Sequence, residues 1–517
     1  RFTVTPGATS ADTYKIGYIN AMAIMVPGIV KVIPFEPVAE GPWDGISMIE
    51  PARDVSGNCV IYTGAELAWV ANQVNQGHAI TSIKIAKDID LGNQPWTPIG
   101  YGTYFTGKID GQGYHIYNMY INKSDLTEKS NFAGLIGGTN SESCDIININ
   151  LSGKIDIPAS MTQKTQVGSF VGKANALGNM INCHSDVEIN IMGAPGYVGG
   201  VLAFMKNANI KNCSYSGNIT IEASGKVTNG IGGILGCTNS STTGIEAIIN
   251  GCYFDGSIKN NGTGTPKYVA GINSYSNLSK AAETITNNYV IGAIDCTATD
   301  QGAVYGKANT TNFDCENNYY RAEYTLTGKG GIPMEMERFH SGEATYLLNG
   351  DQMEFLFGQE LDSDDSMPVV YSGTNRVYKT IFMYNDDEYA ALYHNTEMKF
   401  PENPVPDDGT VFGGWYDEKG NRYDNSSTTQ TDLTLYAKAI ATGTDNLKTK
   451  NKITVNNNKI DISSESEIGD IAIWDIYGTK VINKTIRETT AELDINSLQH
   501  GIYFLKSKKD CIKFIKK

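Results

Sequence analysis

The chain has 517 residues, of which 40% are hydrophobic and 19% charged, and it carries 55 glycines and a net charge of −15 at pH 7. Its hydrophobic content exceeds that of a disordered chain, and its length predicts several domains. The acidic balance argues against a nucleic-acid partner, because basic residues accumulate only in the last dozen positions.

The first region, residues 1–45, carries few structural signals. Its apolar segment, residues 16–30, is broken by Pro27 and Gly28 and is too short and interrupted to span a membrane. It also lacks the charged start and the cleavage site of a secretory signal. We therefore expect strands here, or the end of an upstream domain, in a mature or excised chain without a transmembrane segment.

A helix is predicted in the next region, residues 46–125. Thr63 and Glu66 have the spacing of a capping box, in which two side chains satisfy the first free amides of a helix. Apolar residues follow at helical spacing. We expect this helix to cover the first coil of the structure that follows, whose edge would otherwise pair with another chain.

An asparagine then recurs one residue before a buried-looking anchor. The anchor positions 119, 149, 183, 213, 252, 288 and 318 lie 30 to 39 residues apart, which is the signature of a repeat architecture. Gly251 fills the asparagine position of one repeat. The recurring asparagines, whose amides can hydrogen-bond in a column from coil to coil, are Asn118, Asn148, Asn182, Asn212, Asn287 and Asn317.

The remainder of each repeat predicts strands. A block of small and aliphatic residues precedes each anchor, and a glycine with a short β-branched run often follows it, which is typical of strands joined by tight turns. Because parallel crossovers are almost always right-handed, we expect an all-β chain built on a right-handed parallel β-helix. Cys183, Cys213 and Cys252 share one repeat phase and are predicted to form an inward column of thiols.

The repeats also resemble a known family. An aliphatic-Gly-Gly-aliphatic block followed by Asn-Cys and a strand, clearest in residues 197–220 and 230–259, resembles the GLUG repeat of bacterial surface proteins. The resemblance covers roughly residues 130–320, and the segment before it resembles the entry module of such proteins in Bacteroidota. It implies a β-solenoid over residues 126–325, closed by a C-terminal cap over residues 326–373.

Three aspartates in the cap form a local acidic cluster. Asp362, Asp364 and Asp365 lack the spacing of a calcium-binding loop, so a solvated loop is the simpler interpretation and a calcium site the alternative.

Residues 374–440 form a separate module. The stretch from Phe412 to Tyr416, a turn, and the strand from Leu433 to Lys438 resemble the internalin B-type repeat of bacterial surface proteins. Trp415 is expected in the core of this small β-rich domain, with a platform for ligand binding as the alternative.

A polar linker, residues 441–451, leads to the last domain, residues 452–517. Its two strand pairs and its basic end resemble the C-terminal sorting domain of the type IX secretion system of Bacteroidota. The resemblance implies recognition by that secretion machinery, export across the outer membrane and attachment at the cell surface. The alternative is a plain β-sandwich with a basic edge strand. The residues that carry the resemblance are Asp475, Gly478, Leu493, Gly501, Tyr503, Lys516 and Lys517.

No catalytic or metal-binding motif emerges from the spacing of polar residues. Glycan-cleaving β-helices need paired carboxylates, and the candidate residues in the repeats form no such pattern. The six histidines are scattered, and no cysteine pair has the spacing of a metal site. We therefore predict a chain that is not an enzyme and needs no metal or cofactor. The carboxylates considered are Asp110, Asp145, Asp156, Asp186, Asp255 and Asp295.

The sequence as a whole predicts an extracellular adhesin or binding protein that presents a β-helical rod to a glycan or protein partner. Sugar rings stack on flat apolar faces, so the predicted ligand contacts are Tyr215, Tyr253, Tyr289 and Trp415. Two other functions remain open. A β-helical polysaccharide lyase or glycosidase would show a cleft with paired carboxylates, and a structural spacer or filament subunit would show neither cleft nor exposed aromatic patch.

Overall fold

The fold is described from a computed structural model of the chain. It describes residues 3–5, 29–31, 41–123, 131–223, 229–310, 312–324, 326–350, 354–361, 366–406, 410–441, 451–456, 458–508 and 510–517. Two compact units result, one of residues 1–379 with 393–397 and one of residues 380–392 with 398–517. With 51% strand and 6% helix, the structure confirms the predicted all-β class.

The strands of the first unit, in chain order, are Thr3–Thr5 (β1), Ile29–Lys31 (β2), Ala52–Arg53 (β3), Cys59–Ile61 (β4), Ser82–Ile85 (β5), Ile89–Asp90 (β6), Lys108–Asp110 (β7), His115–Asn122 (β8), Phe132–Ala133 (β9), Ile136–Ile157 (β10), Thr165–Gly168 (β11), Val171–Ser185 (β12), Glu188–Ile191 (β13), Pro195–Gly199 (β14), Asn209–Lys211 (β15), Ser214–Tyr215 (β16), Asn218–Ile221 (β17), Gly230–Gly232 (β18), Thr238–Ser240 (β19), Glu246–Asn250 (β20), Tyr253–Phe254 (β21), Ser257–Asn260 (β22), Tyr268–Ala270 (β23), Asn273–Leu278 (β24), Ala282–Thr286 (β25), Tyr289–Val290 (β26), Ala293–Asp295 (β27), Asp300–Gly302 (β28), Tyr305–Asn309 (β29), Phe313–Glu316 (β30), Tyr319–Arg321 (β31), Ile332–Met334 (β32), Phe357–Gly358 (β33) and Val369–Val370 (β34). The helices are Gly64–Asn75 (α1), Met336–His340 (α2) and Glu343–Asn349 (α3). No helix among the described residues is long and apolar enough to cross a membrane.

Most of these strands form a parallel β-solenoid of about 6 turns, as predicted. The first stack runs from β4 and β5 through β7, β10, β12, β15, β20 and β25 to β30. The second begins at β6 and β8 and ends at β31 and β32. The third consists of β9, β11, β14, β18, β23 and β28. The fourth consists of β19, β24 and β29, and isolated bridges extend it towards the first coils.

The solenoid interior is a set of aliphatic columns. In the first stack, successive coils place Ile109, Ile146, Met180, Ile210 and Ile249 in register, and each side chain is fully buried. Side chains alternate between the two faces of a strand, so in-register strands bury the same position in every coil. This explains why the sequence can repeat with insertions and still keep one continuous core.

The recurring asparagine forms the corner between the first and second stacks. All six asparagines have positive φ, from 50° to 58°, and Gly251 has φ of 67° at the same corner. This left-handed conformation is costly for most residues and is tolerated best by glycine and asparagine. Some of the amides also bond along the column, since Asn182 Nδ2 donates to Asn148 Oδ1 over 3.0 Å and Asn317 Nδ2 to Asn287 Oδ1 over 2.7 Å.

The predicted cysteine residues lie just beyond this corner. Cys183, Cys213 and Cys252 are fully buried and form no disulfide. Each thiol donates back to a backbone carbonyl of the preceding coil, as from Cys213 Sγ to Met180 O over 3.5 Å. Burial raises the pKa values of the Cys213 and Cys252 thiols well above the ordinary value for a cysteine. They act here as small buried apolar groups.

Helices precede and follow the coils of the solenoid in the chain. Helix α1 starts with the predicted capping box, in which Thr63 Oγ1 accepts from the Glu66 amide and the Glu66 carboxylate accepts from the Thr63 amide. At the other end, β32 and helices α2 and α3 follow the last coil. Asn317 Nδ2 donates to Leu347 O of helix α3 over 3.0 Å, so the asparagine column ends on a helix carbonyl. Asp362, Asp364 and Asp365 lie outside the described residues.

The strands assigned to the second unit, of which β35 starts in the first, are Tyr378–Tyr384 (β35), Asp387–His394 (β36), Thr410–Tyr416 (β37), Arg422–Tyr423 (β38), Leu433–Ala441 (β39), Asn451–Val455 (β40), Lys459–Ser464 (β41), Gly469–Asp475 (β42), Lys480–Ile486 (β43), Thr490–Asp494 (β44), Gly501–Ser507 (β45) and Cys511–Lys516 (β46). Strands β35 to β39 form one five-stranded sheet, and β40 to β46 form a three-stranded and a four-stranded sheet.

Trp415 lies in the core of the five-stranded sheet. It is 2% exposed, and its ring centroid lies 4.9 Å from that of Phe382 and 5.3 Å from that of Phe412. The alternative prediction of an exposed ligand platform is therefore wrong, because the indole ring is almost fully buried among core side chains.

The residues proposed for the sorting motif shape the last two sheets. Asp475 accepts hydrogen bonds from the Tyr477 and Thr479 amides in a turn whose Gly478 has φ of 80°. Leu493 and Tyr503 are buried in the shared core, and Gly501 opens β45. Lys516 Nζ donates to Asn458 Oδ1 over 3.1 Å, whereas Lys517 is exposed.

Candidate binding surface

The tyrosines predicted to contact a ligand are not on an open surface. Tyr215 points into the solenoid, is fully buried and donates to Val187 O over 2.7 Å. Tyr253 and Tyr289 stack outside the coils at 4.9 Å, but Phe357 packs against both rings. Tyr289 is 1% exposed and donates to Pro368 O. The prediction of a tyrosine platform is wrong here, because the segment after the solenoid covers these rings.

A different row of aromatic side chains follows the outer face of the solenoid. At each coil, the outward positions of the third and fourth stacks lie side by side. We name this row the aromatic–lysine strip, and its members, all half-buried, are Phe132, Lys173, Tyr197, Phe204, Tyr268, Tyr275 and Lys307. The coils are numbered by the strands of the third stack, from β9 in the first to β28 in the sixth. The strip runs from the first to the sixth of these coils, a distance of ~24 Å at the usual spacing of parallel strands.

Four of the five aromatic rings of the strip form one continuous contact. Tyr268 and Tyr275, of the fifth coil, stack with centroids 4.2 Å apart and planes 14° apart. Tyr197 of the third coil lies 6.4 Å from Tyr275 and 6.2 Å from Phe204. In the fourth coil, Gly230 lies in register between Tyr197 and Tyr268. A Cβ added there would lie 3.2 Å from the Tyr197 ring. This glycine leaves room for the rings of neighbouring coils to meet.

Two lysines flank these rings. Lys173 Nζ lies over the Phe132 ring at 5.2 Å and over the Phe204 ring at 5.7 Å. Lys307 Nζ lies over the Tyr268 ring at 5.9 Å, near the other end of the strip. The negative face of an aromatic ring attracts a cation at this distance, so the rings help to fix both ammonium groups in place.

A row of amides accompanies the strip on the fourth stack. Asn239, Asn277 and Asn309 occupy one register position of successive coils. Asn277 Nδ2 donates to Asn239 Oδ1 over 3.3 Å, and Asn309 Nδ2 donates to Tyr275 OH over 2.9 Å. Amides offer both donors and acceptors, so the surface combines flat apolar faces with groups that can bond hydroxyls.

A buried carboxyl lies inside the solenoid behind this face. Glu283 is 1% exposed and accepts hydrogen bonds from Thr238 Oγ1 and Asn273 Nδ2, while its Oε2 has no partner among the described residues. Burial raises the pKa of the Glu283 carboxyl to about 7. The burial of this group is not predictable from the sequence, because a glutamate in a strand of alternating pattern is expected to face water.

The aspartates considered for catalysis are engaged with neighbouring side chains or exposed. Asp145 binds Lys108 Nζ over 2.6 Å and accepts from Asn179. Asp110 and Asp156 each accept from an asparagine of the following coil. Asp186, Asp255 and Asp295 are exposed. Among the described residues, no group of three or more His, Cys, Asp or Glu side chains could hold a metal ion.

The C-terminal part of the chain matches a family model. Residues 449–517 match the secretion system C-terminal sorting domain, which confirms that part of the predicted resemblance. The chain is therefore a secreted protein that carries a sorting domain behind a β-solenoid. The resemblances to the GLUG repeat and to the internalin B-type repeat stay predictions.

The chain is also similar to proteins named for immunoglobulin A1 cleavage. It is 26% identical over 234 residues to an immunoglobulin A1 protease of Streptococcus sanguinis, which covers 44% of this chain and 11% of the relative. A solved structure from Bacteroides ovatus, described as "a putative immunoglobulin A1 protease", shares 17% identity and covers 62% of this chain and 95% of its own, with a TM-score of 0.43.

The prediction that the chain is not an enzyme is contradicted by the Streptococcus sanguinis relative, whose name is that of a protease. The chain spans about a tenth of the length of that relative. Catalytic motifs within one chain do not reveal its relationship to a much longer protein.

Proposed function

We propose that the chain is a cell-surface protein whose β-solenoid binds an extended carbohydrate chain through the aromatic–lysine strip. The observation that carries the proposal is the continuous contact of half-buried rings on the outer face, above all the stacked pair of Tyr268 and Tyr275. Rings that stack on one another without being fully covered leave apolar area exposed beside polar groups.

Two further features support a carbohydrate over a flat protein surface. The strip is one or two side chains wide and follows the solenoid axis, which suits a linear ligand. The amide row of Asn239, Asn277 and Asn309 lies beside it, where sugar hydroxyls would need partners. Secretion through the sorting domain would bring this surface into contact with extracellular glycans.

A glycan array probed with the full chain tests the proposal. The informative variant is Tyr275→Ala, which removes the ring that joins Tyr197, Tyr268 and Asn309. We expect binding to weaken by about tenfold, equal to about 1.4 kcal/mol. Tyr114→Ala is the matched control, since Tyr114 is a 38% exposed tyrosine outside the strip. Failure to bind any glycan, or equal loss in both variants, would refute the proposal.

The relative's name favours a second function, in the cleavage of immunoglobulin A1. In that case the solenoid would bind this glycoprotein as a substrate. Incubation of immunoglobulin A1 with the purified chain, followed by gel electrophoresis and mass spectrometry of the fragments, tests it directly. Specific fragments that are absent with heat-denatured protein would support this function. Intact immunoglobulin A1 after long incubation would argue against cleavage by this chain alone.

A further inference from the structure

The aromatic–lysine strip carries an excess of positive charge at both ends. At one end, Lys173 lies close enough to exposed Lys206 for the two charges to interact. At the other end, Lys307 and Lys329 share one carboxylate, since their Nζ atoms lie 3.2 Å and 3.6 Å from Asp300. Both ends are therefore locally cationic in a chain whose net charge is −15.

The lysines at the first end lack an acidic partner. Within the described residues, neither Lys173 nor Lys206 forms an ion pair with a carboxylate. Lys173 is half-buried between the Phe132 and Phe204 rings, and this burial together with the charge of Lys206 lowers the pKa of the Lys173 ammonium. A partly desolvated cation without a counter-charge is the arrangement that a bound anion would stabilise.

We infer that the strip takes an anionic sugar chain, lying along the solenoid axis with its acidic groups near Lys173 and Lys307. This inference rests on the proposed carbohydrate-binding function and names the class of the ligand. The two lysines belong to the second and sixth coils, so ~19 Å separates them along the axis at the usual strand spacing. The aromatic rings between them would stack on the sugar rings that join the acidic groups.

The overall charge of the chain makes the recognition local. A net charge of −15 repels polyanions at long range, so attraction can arise only where the strip presents its lysines. A ligand without sugar rings would gain the ionic contacts but lose the stacking on Tyr197, Tyr268 and Tyr275. Polyphosphate, which has no rings, should therefore bind much more weakly than an acidic glycan of similar charge.

Binding of the full chain to defined oligosaccharides tests the inference. The probes are a galacturonate hexamer and a hyaluronan hexamer, which carry carboxylates, a heparin hexamer, which also carries sulfates, and neutral cellohexaose. We expect the acidic probes to bind at least tenfold more tightly than cellohexaose, with affinity falling at high salt. Comparison of the first two probes with heparin shows whether carboxylate or sulfate is preferred.

Two charge variants and one control separate the possible outcomes. Lys173→Gln and Lys307→Gln keep much of the side-chain packing and should each weaken binding of acidic probes several-fold, and by a clearly larger factor than they weaken binding of cellohexaose. Lys259→Gln, an exposed lysine of β22 outside the strip, should leave both unchanged. Equal binding of acidic and neutral probes, or insensitivity to both strip variants, would overturn the inference and leave the proposed function standing. If Tyr275→Ala loses all glycan binding while both lysine variants bind like the parent chain, binding depends on the rings and not on the lysines. That result would also overturn the inference.

Discussion

At the scale of single residues, the solenoid depends on positions whose backbone admits few side chains. The corner between the first and second stacks needs positive φ in every coil, and the sequence supplies asparagine six times and glycine once. Because this conformation selects residue type, the repeat was visible in the sequence despite unequal spacing. Residues such as Glu283 carry no such restriction, so their burial could not be read from composition or spacing.

Replacement of Gly251 tests the corner. In Gly251→Ala the new Cβ would lie 2.6 Å from Asn212 Oδ1, in a backbone conformation with φ of 67°. We expect the free energy of unfolding to fall by about 1–3 kcal/mol in a denaturant titration. Gly244→Ala is the matched control, because Gly244 also has positive φ, of 79°, but its Cβ would meet open space. Equal losses in the two variants would show that the asparagine contact is unimportant.

The buried carboxyl of Glu283 predicts a pH dependence of stability. Its pKa in the folded chain is about 7, compared with 4.5 for the free side chain, so between these values the folded state binds a proton that the unfolded state releases. Stability therefore falls as pH rises from 4.5 to 7, by about 3 kcal/mol in total.

Chemical denaturation at several pH values measures this effect. Glu283→Gln keeps the shape of the side chain and should flatten the dependence over that window, with the largest gain in stability at neutral pH. Glu246→Gln, a change at an exposed glutamate of β20, should retain the slope of the parent chain. A parent chain whose stability does not change from pH 4.5 to 7 would contradict the assignment.

At the scale of elements, strand periodicity predicted the inward columns and failed for the outer face. Tyr215 and Phe254 pair in register and point inward, whereas Tyr253 and Tyr289 pair on the outside. Alternation along a strand predicts the face of the sheet on which each side chain lies, but it does not predict which other segment covers that face. Here the later segment containing Phe357 covers Tyr253 and Tyr289, and the aromatic–lysine strip is left on another face.

The strip could not be predicted from spacing alone. Tyr197, Tyr268 and Tyr275 are irregularly placed in the sequence, and they meet only because the third and fourth stacks lie side by side on the solenoid. Their contact depends on Gly230 in the intervening coil, and a glycine gives no indication of its neighbours. The fold class and the buried column were thus predictable, while the candidate site required the three-dimensional register.

The cysteine column makes the next prediction. Cys213→Asp would place a carboxylate between Cys183 and Cys252, in a fully buried position without a counter-charge. We expect a loss of at least about 3 kcal/mol, or failure of residues 100–330 to unfold cooperatively in thermal and far-UV circular dichroism measurements. Cys511→Asp, at an exposed cysteine, is the control. Melting of Cys213→Asp like the parent chain would show that this position does not face the core.

At the scale of the whole molecule, ligand binding and secretion are assigned to different parts of the chain. The aromatic–lysine strip belongs to the first compact unit, and the sorting domain of residues 449–517 belongs to the second. Each has its own hydrophobic core, since Ile471, Leu493 and Leu505 pack within the sorting domain. Separate cores make it possible to remove one function without unfolding the part that carries the other.

Deletion of residues 449–517 tests this separation. The truncated chain should keep the cooperative unfolding of the solenoid and its glycan binding, because no residue of the strip is removed. In cells it should stay in the periplasm, since the domain that matches the secretion family is absent. Cell fractionation and surface labelling of the truncated and full chains measure the difference, and fusion of residues 449–517 to a soluble reporter should bring that reporter to the outside.

The Lys173→Gln variant is the complementary control, because it should be exported normally and bind acidic glycans weakly. Export of the truncated chain at the level of the full chain would show that residues 449–517 are not required for sorting.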